Sequence, residues 1–224
     1  MTVAGIVNFA IKNIFRTICL VDDTELVRIP TKGPLILVGN HVNFLEAPIL
    51  ITHIQPRQVI ALVKDTTWNN PFLGFLFNQW KAIPIKRGEV DMTAFREALR
   101  ILSEDQILAI APEGTRSGNG VLQKGQPGIV PLAIKSGAPI MPVVYYGGER
   151  FWKNMKGFTR TPFTIRVGKP FRLKTNSTLP SKEERERMTD EIMFQMAGLL
   201  PPEYRGYYSD LANATKDYLD FQVE

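Results

Sequence analysis

The sequence predicts an α/β fold: a single domain with a largely parallel or mixed central sheet flanked by helices, preceded by an N-terminal amphipathic helix. Three observations carry this. Short apolar runs at Pro34 to Val38, Gln58 to Val63, Ala82 to Ile85, Ile107 to Ala111 and Ile140 to Tyr145 alternate with segments of helical period, the pattern of strands joined by crossover helices. The runs are nearly continuous rather than alternating, as strands covered on both faces are. A chain of 224 residues, 44% hydrophobic and 22% charged, suits one globular domain with a full core.

Residues 1–20 form the first helix. Ile6, Val7, Ala10, Ile11, Ile14 and Phe15 recur near helical spacing, with Lys12, Asn13 and Arg16 between them. Such a basic amphipathic helix either lies in a membrane interface or packs one face on a core, and the sequence leaves both open. Asn8, Lys12, Asn13 and Arg16 interrupt the ~18 apolar residues that a membrane span needs. The segment also lacks the small-residue cleavage site of a signal peptide. Residues 21–200 make the α/β domain and 201–224 a C-terminal tail.

Within the domain, Asp22 to Pro30 reads as an extended connection with a short strand, and Thr31-Lys32-Gly33 as a turn. The strand 34–38 ends at Gly39-Asn40. A helix is predicted from Asn43 to Ile54, with His53 as an ordinary helix-end residue. Trp68 to Trp80 is aromatic-rich: it either lines an acyl-chain groove or touches lipid, or it simply packs. Asp91 caps a helix to Leu102 whose apolar face is Phe95, Ala98, Leu99 and Leu102. A helix from Gln126 to Lys135 stops at Gly137. A sixth strand falls at 163–167. Ser181 and Glu184 form a capping box for the last helix, which runs to Leu200 and stops at Pro201-Pro202.

One cysteine, Cys19, excludes an internal disulfide and a cysteine-based metal cluster, and fits a reducing compartment. No His or Cys spacing suggests a metal site. A net charge of +5 and pI near 9.3 favour anionic partners. Nucleic acid is not expected, because the basic residues are scattered and aromatics do not interleave with them.

Three polar clusters occupy equivalent positions, each directly after a predicted strand: His41 after 34–38, Lys86-Arg87 after 82–85, and Glu113-Gly114-Thr115-Arg116 after 107–111. In a parallel α/β sheet these share the carboxyl edge, where such folds bind ligands. A neutral imidazole takes a proton from a hydroxyl, and a carboxylate can hold its other nitrogen. Glu46 lies five residues after His41, about 140° away around a helix, so His41 should precede the helix and Glu46 fold back from its first turn. Asn43-x-x-Glu46 also approximates a capping box, which would give Glu46 a structural role. Arg87 and Arg116 suit bidentate phosphate binding, Gly114 lets backbone N–H groups approach an anion, and Thr115 adds a donor. Lys86 and Lys124 add point charge. Glu113 either accepts from a substrate hydroxyl or pairs with an arginine and fixes the loop, the latter being favoured.

Asn40-His41-x4-Glu46, Ile83-Pro84-Ile85-Lys86-Arg87-Gly88, Pro112-Glu113-Gly114-Thr115-Arg116-Ser117 and Ala138-Pro139-Ile140-Met141-Pro142-Val143 together resemble the four ordered blocks of the glycerolipid acyltransferase family, and more closely its bacterial 1-acyl-glycerol-3-phosphate acyltransferases. The resemblance covers roughly residues 30 to 170. It implies acyl transfer from a thioester, acyl-CoA or acyl carrier protein, to a lysophospholipid hydroxyl, giving phosphatidic acid without a cofactor. His41 matches the catalytic histidine. Arg87 and the Glu113 to Arg116 block match the phosphate site, Lys124 a further basic position, and Pro142 a position tied to the acyl donor or to packing. The family pattern usually has aspartate where this chain has Glu46. The reading implies peripheral attachment on the cytoplasmic side of an anionic membrane, through residues 1–20 and the 68–80 stretch. The rivals are transfer to a different lipid acceptor and a non-catalytic lipid-binding protein.

Overall fold

The structure, a computed structural model, describes residues 2–86, 91–175, 177 and 179–223. In chain order the elements are α1 (Val3–Ile18), β1 (Cys19–Asp22), β2 (Leu35–Val38), α2 (Glu46–His53), β3 (Val59–Lys64), α3 (Pro71–Gln79), β4 (Ile83–Ile85), α4 (Met92–Ser103), β5 (Ile107–Ile110), α5 (Ile129–Ser136), β6 (Ile140–Tyr146), α6 (Phe151–Lys156), β7 (Thr161–Val167), β8 (Arg172–Leu173), α7 (Lys182–Ala197) and β9 (Leu219–Asp220).

The central sheet has the strand order β1-β7-β6-β2-β5-β3-β4. Every neighbouring pair from β6 to β4 is parallel; β7 runs antiparallel to β6, with β1 parallel to β7. The α/β expectation therefore holds, in its mixed form. β2 lies mid-sheet with all of its residues buried. Strand alternation sends Leu35 and Leu37 to one face, where they meet Phe15 of α1 and Ile49 and Leu50 of α2. It sends Ile36 and Val38 to the other, against Ala98 and Ile101 of α4 and Ile192 and Met196 of α7. Two cores enclose the sheet, which is why its strands read as unbroken apolar runs.

Helix ends follow their side-chain chemistry. Asp91 accepts from the Thr93 and Ala94 N–H groups at the start of α4, Gly137 closes α5 at φ 63°, and Ser181 and Glu184 form the expected capping box on α7. Asn70 caps α3, with Pro71 as its first residue. α2 begins at Glu46, later than Asn43, because side-chain bonds hold residues 43–45 in a turn: Asn43 Oδ1 accepts from Leu45 N–H at 2.8 Å. The extended connection predicted over 22–30 is instead strand β1, ending at Asp22, and a 3-10 turn over Thr24–Arg28.

Two further expectations need revision. His53 does end α2, but it is buried, with Nδ1 2.8 Å from the Ile49 carbonyl and its Nε2 without a partner among the described residues. Residues 201–223 fold back onto the domain. β9 pairs with β8, Tyr208 and Leu219 are buried, and buried Glu191 of α7 accepts from Asp217 N–H at 2.8 Å and Tyr218 N–H at 2.9 Å.

α1 packs one face on the core and leaves apolar residues exposed on the other. Phe15 is buried, and Ile11 and Ile18 pack on the same core, while Val3, Ile6, Phe9 and Ile14 remain exposed. No helix among the described residues is long and apolar enough to cross a membrane. The aromatic stretch divides likewise. Trp80 is buried and donates through Nε1 to Asn8 of α1 at 2.8 Å, whereas Phe72 and Phe75 face outward.

Candidate active site

Past Val38 the chain is shaped by what it lies against. Gly39 runs so close to β6 that a Cβ there would sit 2.9 Å from a Tyr145 ring carbon and 3.0 Å from the Val143 carbonyl. Buried Asn40 then mimics backbone: Nδ2 donates to the Tyr145 carbonyl and Oδ1 accepts from the Tyr145 N–H, each at 2.8 Å. This side chain adds one rung to the β2–β6 ladder after the main chain has left the sheet, and it sets His41 at the carboxyl edge.

His41 is fastened on three sides. Its N–H donates to Glu113 Oε1 at 2.7 Å. Its carbonyl accepts from Ser117 N–H at 2.8 Å, and the next carbonyl, of Val42, accepts from Gly118 N–H at 3.0 Å. Its Nδ1 lies 3.1 Å from Glu46 Oε2, with side-chain exposures of 20% for His41 and 7% for Glu46. The imidazole is thus reachable while its carboxylate partner is enclosed. Glu46 Oε1 accepts from Asn43 N–H at 2.9 Å. The orienting and capping roles are therefore filled together, by different oxygens. A carboxylate only accepts, so the ring proton is assigned to Nδ1 and Nε2 keeps its lone pair. The Tyr145 phenol beneath is pushed up in pKa by burial and by the Glu46 charge.

Glu113 is buried and fixes the loop, as favoured, although its partners are amide N–H groups rather than an arginine. Besides His41 it accepts from the Gln123 backbone N–H at 2.9 Å and from Gln123 Nε2 at 3.3 Å. Its carboxyl is held above the usual carboxylate range, because burial outweighs these hydrogen bonds and the nearby His41. Gly114 turns the chain at φ 71°, a conformation that glycine adopts without penalty. Thr115 and Arg116 follow, both exposed. Arg116 directly precedes Ser117, the residue bonded to the His41 carbonyl.

The other candidates lie further out. Lys86, exposed, follows the edge strand β4 and donates its N–H to Asp91 Oδ2 at 3.3 Å. The order β2-β5-β3-β4 separates it from the His41 strand by about 14 Å at the usual strand spacing. Arg87 lies outside the described residues. Lys124 is exposed, its Nζ 5.8 Å from the centre of the Tyr207 ring. Pro142 sits inside β6 opposite Val38. Its carbonyl accepts from Gly168 N–H at 2.8 Å, and its ring closes over Gly168, which is packing within the sheet. The fold thus brings together His41, Glu46, Glu113, Gly114, Thr115 and Arg116, with Lys86 and Lys124 flanking them and Pro142 below.

Several supporting contacts are not legible in the sequence. Asn43 Nδ2 donates to the Gly148 carbonyl at 2.9 Å, tying the His41 loop to the end of β6. The C-terminal segment braces the loop that carries Gln123. Leu122 N–H donates to the Tyr204 carbonyl at 2.9 Å, and Tyr207 N–H to the Leu122 carbonyl at 3.0 Å. Gly125 N–H donates to the Tyr208 hydroxyl at 3.1 Å, and that hydroxyl donates to Asp190 at 2.7 Å. Tyr204 donates to Glu149 at 2.9 Å, and burial with this bond pushes its phenol up to about 12. The one sequence signal that could have found this brace is the density of tyrosines in a polar tail, Tyr204, Tyr207 and Tyr208.

A profile of the acyltransferase family matches residues 21–146, more than half of the chain, and runs from within β1 to the end of β6 with both fastened loops. The chain belongs to the acyltransferase family. Among curated relatives, the 1-acyl-sn-glycerol-3-phosphate acyltransferase of Bacillus subtilis is 25% identical over 167 residues, covering 73% of this chain and 80% of that protein. The enzymes of the same name from Limnanthes alba and Borreliella burgdorferi are 31% and 27% identical, covering 62% and 55% of this chain. The chain spans about half the length of these two. The crystal structure of the 1-acyl-sn-glycerophosphate acyltransferase from Thermotoga maritima superposes with a TM-score of 0.60 at 22% identity, over 88% of this chain and 78% of that one, and shares the acyltransferase fold.

Proposed function

We propose that this acyltransferase moves a fatty acyl group from a thioester to the free hydroxyl of 1-acyl-sn-glycerol-3-phosphate, forming phosphatidic acid. The observation that carries this is the His41 Nδ1–Glu46 Oε2 contact of 3.1 Å beside the Arg116 loop. The contact leaves Nε2 as a base at a partly open edge, next to a cation suited to phosphate. The names of the relatives from Bacillus and Borreliella point to the same acceptor.

In this reading the lysolipid phosphate docks on Arg116, with Lys86, Arg87 and Lys124 adding positive charge. Thr115 and the turn at Gly114 offer further donors. The acceptor hydroxyl lies against His41 Nε2. His41 removes its proton as the oxygen attacks the thioester carbonyl, while Glu46 holds the ring and stabilises the imidazolium. The tetrahedral intermediate collapses with cleavage of the C–S bond, and the thiolate takes the proton from His41. The products are phosphatidate and a free thiol, so atoms and charge balance without a cofactor. The donor is acyl-CoA or acyl carrier protein. The enzyme works as a peripheral protein at the cytoplasmic side of an anionic membrane, where the exposed apolar residues of α1 and α3 meet lipid.

The test is His41→Ala, assayed for thiol release from an acyl thioester in the presence of lysophosphatidate. Release should fall by at least about 10²-fold, the lower range of general-base contributions. Wild-type turnover in that variant would remove the proposed base. Wild-type protein that binds lysolipid but releases no thiol from either donor would mark a non-catalytic lipid-binding protein.

A further inference from the structure

The segment from α6 to Arg160 presents apolar side chains that the catalytic proposal does not use. Phe151 is buried, its ring edge-on to Phe44 with centroids 5.3 Å apart. Beyond it the chain turns outward: Trp152 is 64% exposed, Met155 42% and Phe158 100%. Phe158 also has a φ of 52°, the left-handed conformation that helix ends usually assign to glycine. Gly157 is the residue before it, at φ −91°. The turn is built rather than frayed. Phe158 N–H donates to the Met155 carbonyl at 3.2 Å, and Thr159 N–H to the Asn154 carbonyl at 2.9 Å. Asn154 Nδ2 donates to Thr161 at 3.2 Å. A fixed turn thus holds a bare phenyl ring in water at a backbone position unfavourable for it.

The charge along the segment itself has one sign. Arg150, Lys153, Lys156 and Arg160 are all exposed, and the sequence has no acidic residue between Glu149 and Glu183. Aromatic and apolar tips rimmed by cations match the chemistry of an anionic lipid interface. The segment is anchored at both ends. Gly148, before α6, accepts from Asn43 of the His41 loop. After it, Arg160 Nη2 donates to the Cys19 carbonyl at 2.8 Å and to the Arg16 carbonyl, at the end of α1.

We propose that α6 and the turn to Arg160 are a docking surface for an anionic bilayer, separate from α1, that sets the lipid surface beside the His41 loop. Phe158, Met155 and Trp152 enter the headgroup region while Lys153 and Lys156 meet its negative charge. Only the benefit to catalysis rests on the lysolipid-acyltransferase reading; the docking does not.

The binding experiment uses the full chain and phosphatidylcholine vesicles with or without phosphatidylglycerol, with no acyl donor present; an acyl thioester is added only for the turnover assays. Two double variants, Met155→Ser/Phe158→Ser and Lys153→Glu/Lys156→Glu, change exposed side chains only, and thermal melting confirms that they fold. Each should lower partitioning onto anionic vesicles about tenfold or more, with the charge variant also losing most salt dependence. Turnover of lysophosphatidate embedded in vesicles should fall in step, while turnover of a short-chain, water-soluble acceptor stays at the wild-type value. Wild-type partitioning in both folded variants overturns the proposal, as does equal binding of the wild type to neutral and anionic vesicles. If the wild type instead self-associates through this face, with monomeric variants and unchanged vesicle binding, the surface is a protein interface and the proposal falls. Reduced vesicle binding in a chain whose wild type acylates no lysolipid leaves the docking surface standing and removes the catalytic reading.

Discussion

Asn40 is the residue on which the position of the proposed base most directly depends, and Asn40→Leu measures that dependence. Leucine has a similar volume and keeps the site filled, but it removes both 2.8 Å bonds to the Tyr145 backbone. Tyr145 is 4% exposed and Asn40 3%, so water does not readily replace the lost partners. An orphaned buried polar group costs about 1–3 kcal/mol. Two of them, partly relieved by local shifts and by the added apolar burial, should cost about 2–4 kcal/mol. For a chain of this size that is a fall of roughly 5–15 °C in Tm. The next residue is His41, and a displacement of about 1 Å in a reacting group typically costs about 10²-fold in rate. Urea denaturation gives the first quantity from the shift in midpoint at unchanged slope, and thiol release gives kcat for the second. Asn40→Asp is the companion variant. It keeps the acceptor for Tyr145 N–H but sets a carboxylate against the Tyr145 carbonyl, so it should destabilise at least as much at neutral pH. A leucine variant with wild-type midpoint and wild-type turnover would refute the view that this side-chain rung sets the site.

Three further outcomes follow from other contacts. In Glu46→Gln the amide oxygen can keep Asn43 N–H, which turns the NH₂ toward His41 Nδ1 and forces the ring proton onto Nε2; kcat should drop about 10³–10⁴-fold with little change in Tm, and an active variant would contradict the tautomer assignment. His53 is held below the usual histidine range by burial, so below its unfolded pKa the unfolded chain binds a proton that the folded chain resists. Its contribution to stability is full above that value and is lost as pH falls toward the folded one, so melting curves from pH 7 to pH 5 should decline less steeply in His53→Leu than in wild type. Tyr208→Phe removes the hydroxyl that joins Gly125 to Asp190 and should lower stability by about 1–3 kcal/mol. A greater fall in kcat than rise in KM is expected, because the loop it braces holds Gln123 and, through Glu113, His41. Equal kinetics in a destabilised variant would make the brace purely structural.

Much of this architecture could be read from residue types because local and tertiary demands agree. β2 is apolar throughout since both faces are covered, and Asp91, Gly137 and Ser181 with Glu184 mark helix ends by bonds that span only a few residues. The placement of His41 and Glu113 together followed from two strands ending in polar loops, and β2 and β5 are indeed parallel neighbours. What stayed hidden depends on contacts remote in sequence. Asn40 reaches Tyr145, 105 positions away, and no local pattern encodes that pairing. Glu113 looked like an arginine partner because charge is visible in a sequence, while the backbone N–H groups that occupy it are not. The burial of His53 escaped notice because it depends on how α1 crosses α2. The reversal at β7 is likewise set by packing and not by composition.

The tyrosine brace has a consequence for the order in which the protein is made. His41 is polymerised early, yet the loop behind its partner Glu113 is closed by Tyr204, Tyr207 and Tyr208. At typical synthesis rates those residues arrive roughly 10–30 s later. Until they arrive the nascent chain has the base and its carboxylate and, once β5 and β6 are made, the sheet edge, but not the clamp on residues 121–125. An ordered site is thus acquired later than the strands that carry it, and a chain stalled before Tyr204 should hold His41, Glu46 and Glu113 without the brace on residues 121–125.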